Sequence, residues 1–506
     1  MLKTGAPYLI GADAGTSSCK TILMDQRGNI LANAQIGYTT DFPREGWAEQ
    51  DPEDWYRALV QGVRQCIGSA HVPAEEIVAL SVCGPAHNVV LLDGDDHVLQ
   101  PVILWSDRRS ISQAEWLEQE YGSRVYAITY QPVNPSWSLA QLLWTRQNRS
   151  EIWKRVRRIV IGKDYLSYRL TGSWRTDWYD AMGTQMFDAR TGEWSSVLCR
   201  ALDLPLERLP PVGDAVAVSG RVTPSAAKDT GLTSATLVAV GSGDSVVEAL
   251  GAGVVEPGQC IVKLGTAGNV NVVTARPRPS EGTLTYRHVM PRRWYTIAAT
   301  NSGTGSVTWF CDIFDIAKAM PRSESLPAME RLAGRVAPGS EGLIFHPYLQ
   351  GERCPYWDPA LRGDFVGITL RHQRQHFARA VLEGVAFSLR DCLQLLRELE
   401  VPTTQFLLMG GGARSALWRT IVADVLNVEL EVAPTNVTAY GAALVAGVSS
   451  GVFGDLHQAA NIKKTGRESI LPDPRNAATY DRLHALYRRA AQRLAHIDHA
   501  LHDSTV

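Results

Sequence analysis

The sequence has no long apolar run. No window approaches the roughly 20 apolar residues that a membrane helix needs, so no membrane partner is expected. It also lacks an excess of charge of either sign: 50 Lys and Arg stand against 52 Asp and Glu, a formal net charge of −2. That balance gives no electrostatic footprint for nucleic acid or an acidic membrane surface and leaves a small molecule as the expected partner. Cysteine pairs are missing too. Cys19, Cys66, Cys83, Cys199, Cys260, Cys311, Cys354 and Cys392 form no C-x-x-C pair and no His arrangement spaced for zinc, which argues for reduced thiols in a cytoplasmic protein. The first apolar run is broken by Asp13 and lacks the apolar core of a secretory signal.

What is there is organised around the stretch from Tyr8 to Ile30. Apolar runs over 8–10 and 21–24 read as strands joined by Gly15-Thr16-Ser17-Ser18, residues that favour turns. A glycine between strands lets backbone N–H groups approach an anion, and the Thr and Ser hydroxyls add donors, so the turn can cradle phosphate. Asp13 ends its strand facing the same spot. A carboxylate beside a phosphate calls for a cation between them, which points to a magnesium nucleotide, and Lys20 on the return strand can neutralise a phosphate. Taken alone, an ordinary hairpin with a polar turn explains these residues as well. The pattern recurs, however. Cys260-Ile-Val-Lys-Leu-Gly265-Thr266-Ala-Gly268 followed by Asn-Val-Asn-Val-Val repeats strand, Gly-Thr turn and strand about half of the 506-residue chain further on, and so suggests two domains.

Open α/β sheets place ligands where strands end. A strand over 76–82 ends in Cys83-Gly-Pro-Ala86-His87-Asn88, and strand pieces over 89–92 and 98–104 end in Trp105-Ser-Asp107-Arg108-Arg109. His87, Asp107 and Arg108 are therefore candidates. The bland alternatives are a satisfied loop histidine and an Asp107–Arg108 pair that caps the next helix. Asp51 before Pro-Glu-Asp predicts a helix to about residue 66. The basic run 154–158 reads as a solvated helix face, Gly162 opens a helix that stops at Thr171-Gly172, and Asp177 and Asp180 fall in a loop. The apolar run 236–240 leads into Gly241-Ser242-Gly243-Asp244-Ser245 ahead of a helix, an acid at a strand end in mid-chain, with an N-cap as the plain alternative. A strand over 405–409 runs through Gly410-Gly411-Gly412-Ala413-Arg414-Ser415 into a helix over 416–426. This is neither the Walker pattern nor the Rossmann spacing, but three glycines let a flat ring or a phosphate approach the backbone. Further helices are predicted over 376–399, 439–448 and 477–502, with His496, His499 and His502 on a solvated face rather than in a metal site.

In this order the residues resemble the FGGY family of carbohydrate kinases over essentially the whole chain. Gly363-Asp-Phe-Val-Gly367-Ile368, with His376-Phe377 and Ala380-Val-Leu-Glu383 beyond a seven-residue gap, fits the C-terminal signature of the family position by position. Asp13-Ala-Gly-Thr, Ile103-Leu-Trp-Ser-Asp107, Lys163-Asp-Tyr-Leu, Gly243-Asp244, Leu264-Gly-Thr, Gly351-Glu-Arg353 and the glycine run at 410–415 support it. The resemblance implies an α/β fold of two actin-like (ribonuclease H-like) domains, 1–247 and 248–506, with the active site in the cleft between them. It implies ATP and Mg2+ as cofactors, Asp244 as general base, and Asp13 with Asp244 at the metal. Gly15, Thr16, Ser17, Lys20, Gly265 and Thr266 would hold phosphates, and Gly411, Gly412, Ala413 and Ser415 would lie against adenosine. Ala86, His87, Trp105, Asp107, Asp244 and Ser245 would contact the sugar.

Among the branches of the family the chain is most similar to the xylulose kinases, through Trp105-Ser-Asp107, Gly351-Glu-Arg353 and the glycine-rich turn. Glycerol kinases carry an Arg-Glu pair where this chain has Ala86-His87, which speaks against glycerol. Xylulose kinases typically show Gln-Met-His-Gly where this chain has Pro85-Ala86-His87-Asn88 and Gly-Asp-Asn where it has Gly243-Asp244-Ser245, and the lysine of the N-terminal signature is Gln141 here. The expected activity is transfer of phosphate from ATP to a terminal hydroxyl of a ketose, D-xylulose to D-xylulose 5-phosphate, with a homodimer allowed. The alternatives are a kinase of another polyol, ketose, aldonate or sugar-like signal, such as ribulose, erythritol, gluconate or glycerol, and a regulatory or chaperone-like ATPase on the same fold. No separate peptide-binding segment is left over for the last.

Overall fold

The structure is a computed structural model that describes residues 7–316, 321–434, 436–462 and 467–505. The chain divides into two compact units, and they are not two uninterrupted halves. The first comprises Met1–Val255, Tyr286–Trp294 and Thr435–Thr465, and the second Glu256–Thr285, Tyr295–Pro434 and Gly466–Val506.

In the first unit six strands lie in the order Val218–Arg221, Leu237–Ala239, Ile77–Cys83, Tyr8–Ala14, Ser18–Asp25, Ile30–Gly37. Ile77–Cys83 pairs in parallel with Tyr8–Ala14 on one side and with Leu237–Ala239 on the other. Its side chains are almost all buried, as a parallel strand covered on both faces requires. Helix Pro52–Ala70 packs on Ser18–Asp25 and Ile30–Gly37. Asp51 caps it by accepting the Glu53 N–H at 2.9 Å, a contact worth about 1 kcal/mol. The helix runs past the expected residue 66 and ends where His71 turns left-handed, at φ 52°.

Helix Val437–Ser449 packs on Tyr8–Ala14 and Ile77–Cys83, and so returns from late in the sequence to the first unit. The contact is backbone on backbone. A Cβ at Gly11 would overlap the Ala439 carbonyl oxygen and the Ala443 amide nitrogen, so a side chain at position 11 would push the helix off the sheet.

In the second unit five strands lie in the order Gly268–Thr274, Gln259–Leu264, Gln405–Met409, Leu430–Val432, Ser469–Ile470, with residues 295–300 beside Gly268–Thr274. Gln259–Leu264 pairs antiparallel with Gly268–Thr274 and parallel with Gln405–Met409. Each unit thus holds the same kernel, a hairpin with a Gly-Thr tip whose first strand also pairs in parallel with another. The long helix Arg374–Glu398 is anchored to the C-terminal helix Pro474–Thr505 by His484 Nε2 and Asp391 Oδ1 at 2.9 Å. The expected solvated histidines are partly engaged: His499 meets Asp358 at 2.7 Å, and Arg362 donates to His502 Nδ1 at 2.7 Å. Both contacts seat the helix on the 358–362 loop.

Local expectations differ in three places. The strand over 98–104 shrinks to Val102–Ile103, which pairs with Glu49–Gln50, while Val98 makes only an isolated bridge to Leu92. The basic run straddles the end of helix Ser150–Arg155 and strand Arg158–Ile161, where Arg155 and Arg158 pair with Asp93 and Asp96. Residues 176–183 are not an open loop but a short strand, Thr176–Asp177, and a helix, Trp178–Gly183, whose Asp177 and Asp180 are buried. Among the described residues no helix is long and apolar enough to cross a membrane, and all eight cysteines are buried and free.

Replacing Gly11 with Ala forces the sheet and helix Val437–Ser449 apart and is expected to cost about 1–3 kcal/mol. Urea denaturation of the full chain reads the loss; an unchanged midpoint would show that the helix does not seat on the strand.

Candidate active site

The three parallel strands of the first unit end on one edge. Asp13 lies near the end of Tyr8–Ala14, opposite Cys83 in register. Gly84-Pro85-Ala86-His87 follows Ile77–Cys83. Leu237–Ala239 leads through Gly241, at φ 75°, into the turn that presents Asp244. The Asp244 N–H donates to the Gly84 carbonyl at 2.9 Å, which ties this turn to the middle strand. Both carboxylates bear on one thiol. Burial pushes Cys83 well above its ordinary value, and the negative charges of Asp13 and Asp244 push it further. The sheet therefore brings together two acids that stand far apart in the sequence.

Asp13 is half-buried, and Lys20 faces it across the hairpin in register, exposed. Thr16 and Ser17 are exposed at the tip. Trp105, 44% exposed, donates its indole N–H to Thr16 Oγ1 at 3.3 Å, and its backbone N–H donates to Asn88 Oδ1 at 2.9 Å. His87 takes the left-handed conformation, φ 78°. Its Nδ1 lies 2.5 Å from the Gly183 carbonyl, and its ring tilts against Trp137 at 4.5 Å between centroids. Burial pushes its pKa down to about 4. A carbonyl only accepts, so Nδ1 carries the proton and Nε2 keeps its lone pair. Ala86 is buried beside it. Ser245 donates to Asp244 Oδ1 at 3.2 Å.

Asp107 is corrected. Expected at the sugar, it is fully buried and its oxygens accept from Ala48 N at 2.6 Å, Arg109 N at 2.8 Å, Arg109 Nε at 2.9 Å and Arg109 Nη2 at 2.7 Å. Four donors fill the roughly four acceptor sites of a carboxylate. Its partner is Arg109, not Arg108, and Arg109 also pairs with Glu49 at 2.6 Å and stacks over Trp47 at 3.7 Å. Asp107 fixes the loop that carries Trp105.

In the second unit the Gly265-Thr266 tip and the glycine turn at 410–415 are neighbours, because their strands pair Lys263 with Met409. Gly410 adopts φ 98°, and a Cβ there would meet the Leu264 carbonyl oxygen at 2.5 Å. Gly411, by contrast, faces open space, with nothing within 4 Å of a Cβ position. Thr266 is exposed, Gly412 and Ala413 are buried, and Ser415 spends its hydroxyl on capping helix Ala416–Leu426, accepting the Trp418 N–H at 3.1 Å. Ser415 therefore shapes the turn rather than offering a free hydroxyl. The carbonyls of Gly265 and Thr266 accept from Thr304 N at 2.7 Å and Gly305 N at 3.1 Å, which seats the start of helix Thr304–Ile313 against the tip. Within the second unit, the exposed Thr266 hydroxyl and the open backbone face at Gly411 suit a nucleotide; within the first, the exposed Thr16 and Ser17 hydroxyls suit phosphate oxygens. Asp13 suits a magnesium ion, which takes one or two carboxylates beside phosphates and water.

Two groups escaped the sequence reading. One is the buried set Lys163, Asp164, Asp177 and Asp180: the ammonium contacts Asp164 closely, Asp177 Oδ1 at 3.3 Å and Asp180 Oδ2 at 3.2 Å. Burial opposes the charge on Lys163, but the three carboxylates outweigh it and hold its pKa above the ordinary lysine value. The other is aromatic. Tyr286 packs on Tyr179 at 4.6 Å between centroids and shares hydrogen bonds with Trp137 and Gln131, while Trp137 donates to Gln131 Oε1 at 2.7 Å. The available signal was a lysine set between two apolar runs, 159–162 and 165–166, where a solvated residue does not belong.

A family model described as the N-terminal domain of the FGGY family of carbohydrate kinases matches residues 8–251, and the C-terminal domain model matches residues 260–450. The xylulose kinase of Lactococcus lactis subsp. lactis is 32% identical over 498 residues, 98% of each chain. Among solved structures, the xylulose kinase of Rhodospirillum rubrum gives a TM-score of 0.89 at 28% identity, covering 97% of this chain and 100% of that one. The gluconate kinase of Lactobacillus acidophilus gives 0.89 at 27% identity, covering 97% and 99%.

Replacing Arg109 with Met strands the buried Asp107 carboxylate, and breaking a buried pair in this way typically costs about 3–5 kcal/mol. Denaturation of the variant measures it. A loss below about 1 kcal/mol, the range of a solvated pair, would show that Asp107 is not held as described.

Proposed function

This chain belongs to the FGGY family of carbohydrate kinases and is an ATP-dependent sugar kinase with the two-domain α/β fold of that family, and we propose that its substrate is a neutral ketose, D-xylulose, phosphorylated on a terminal hydroxyl. The observation that carries the choice is His87. Its Nε2 lone pair offers an acceptor to a sugar hydroxyl, and burial keeps the ring neutral, so it gives the carboxylate of an aldonate no counter-charge. Ala86 leaves room for a longer chain than glycerol.

Phosphoryl transfer is mostly positioning and charge stabilisation, with a base to take the hydroxyl proton. Asp244 is that base: it accepts the proton of the attacking hydroxyl, and the hydrogen bond from Ser245 Oγ to its Oδ1 helps to set its orientation. His87 and Trp105 hold the sugar. Thr16, Ser17 and Thr266 donate to phosphate oxygens, with Lys20 nearby as a cation. The open face at Gly411 receives the adenosine, and Asp13 receives magnesium. When bound, the magnesium nucleotide supplies the transferred phosphoryl group and neutralises part of its charge.

A gluconate-type substrate is the second reading, favoured by the likeness to the gluconate kinase of Lactobacillus acidophilus. A panel of xylulose, ribulose, gluconate and glycerol decides between them, with xylulose expected to give the highest kcat/KM. Gluconate or glycerol as the best substrate overturns the assignment. His87→Ala is expected to raise the sugar KM about tenfold or more, the scale on which a site that loses a hydroxyl partner discriminates, with the KM for ATP unchanged. Asp244→Asn is expected to lower kcat by about 10²–10⁴, the usual worth of a general base. Retention of more than about a tenth of wild-type kcat, well outside that range, removes Asp244 from the role.

A further inference from the structure

The turn that presents Asp244 is held from behind by a buried charge cluster. Lys163 Nζ donates to the Val240 carbonyl at 3.3 Å. Ser242 Oγ donates to Asp177 Oδ2 at 2.6 Å, and Asp177 also accepts the Tyr179 N–H at 3.1 Å as the cap of helix Trp178–Gly183. Gly243 lies so close to that helix that a Cβ would overlap the Tyr179 ring and approach Asp180 Oδ1 at 3.2 Å. Lys163, Asp164, Asp177 and Asp180 are all at most 3% exposed, so solvent contributes little to balancing one ammonium against three carboxylates. The backbone from Val240 to Gly243 is thus gripped at three successive points, and Gly84 takes the N–H of Asp244 itself.

We infer that Lys163 is a positioning residue for phosphoryl transfer: through the Val240 carbonyl and the carboxylates of Asp164, Asp177 and Asp180 it fixes the Val240–Asp244 turn, and with it the direction of the Asp244 carboxylate. The inference rests on Asp244 as the base. Lys163 touches neither sugar nor nucleotide in this role. Burial already pushes the Asp164 and Asp180 carboxyls up, so without the ammonium they take up protons in its place; the hydrogen bond to the Val240 carbonyl is lost, and the Val240–Asp244 turn is freed to shift. A base displaced by about 1 Å can cost on the order of 10² in rate.

The test is steady-state kinetics on the full chain with xylulose and ATP. Lys163→Met is expected to lower kcat about 10²-fold while leaving both KM values within about threefold, since the groups that bind sugar and nucleotide are untouched. Lys163→Met with Asp180→Asn returns the cluster to its original formal charge and is expected to recover at least about fivefold of the lost kcat, which a packing defect alone would not do. Ser242→Ala, which removes one hydroxyl and little volume, keeps the question open to test should the lysine variant fail to fold; it is expected to lower kcat about three- to tenfold, the worth of one hydrogen bond, at unchanged KM. A folded Lys163→Met with kcat near wild type, a fall in kcat matched by rises in both KM values, or a Ser242→Ala with unchanged kcat each overturns the inference. Asp244→Asn separates the two levels: an active Asp244→Asn defeats the assignment of the base, whereas an inactive Asp244→Asn beside an active Lys163→Met defeats the positioning role alone.

Discussion

Everything at the first unit's site depends on the hydrogen-bond ladder of one strand, Ile77–Cys83. It pairs in parallel with the strand that ends in Asp13 and with the strand that leads to Asp244. Parallel pairing forces all three strands to finish on the same edge, so their polar ends converge whatever their separation in the chain. The ladder also fixes register. A slip of one residue would turn Asp13 to the other face of the sheet and lose the pairing of Asp13 with Cys83.

The polar residues of this edge divide into groups open to solvent and buried charge clusters behind them. Thr16, Ser17, Lys20 and Trp105 are solvent-exposed, and His87, Asp13 and Asp244 are half-buried. Behind them lie Asp107 with Arg109 and Lys163 with its three carboxylates, all but shut off from water. Such ion clusters contribute little net stability against a well-packed apolar alternative. They specify geometry instead, because a buried charge tolerates few arrangements of its partners.

The sequence made the outer layer legible and hid the inner one. Both Gly-Thr hairpins, the Gly243-Asp244 turn and the glycine run at 410–415 follow from apolar runs punctuated by turn residues, a signal local to a dozen positions. Asp107 misled because its motif lies at a strand end, as ligand-contacting acids do, while its true partners, Ala48 and Arg109, became visible only once the 46–50 segment was folded against it. Asp177 and Asp180 looked like loop carboxylates because nothing local announces that Lys163 arrives beside them from a separate helix, Gly162–Thr171. Tyr286 was beyond reach for a related reason: it belongs to a segment of the second half that returns to the first unit. Pairwise burial of distant polar residues leaves no periodic trace.

The return of helix Val437–Ser449 to Gly11 has a consequence for synthesis. The strand Tyr8–Ala14 leaves the ribosome about 420 residues ahead of the helix that covers it. At about 5–20 residues per second the apolar sheet face that includes Leu9, Ala79 and Ala239 waits some tens of seconds for its cover. The first unit therefore cannot complete its core as a nascent domain, and its exposed sheet face is the surface that a chaperone would shield in the interval.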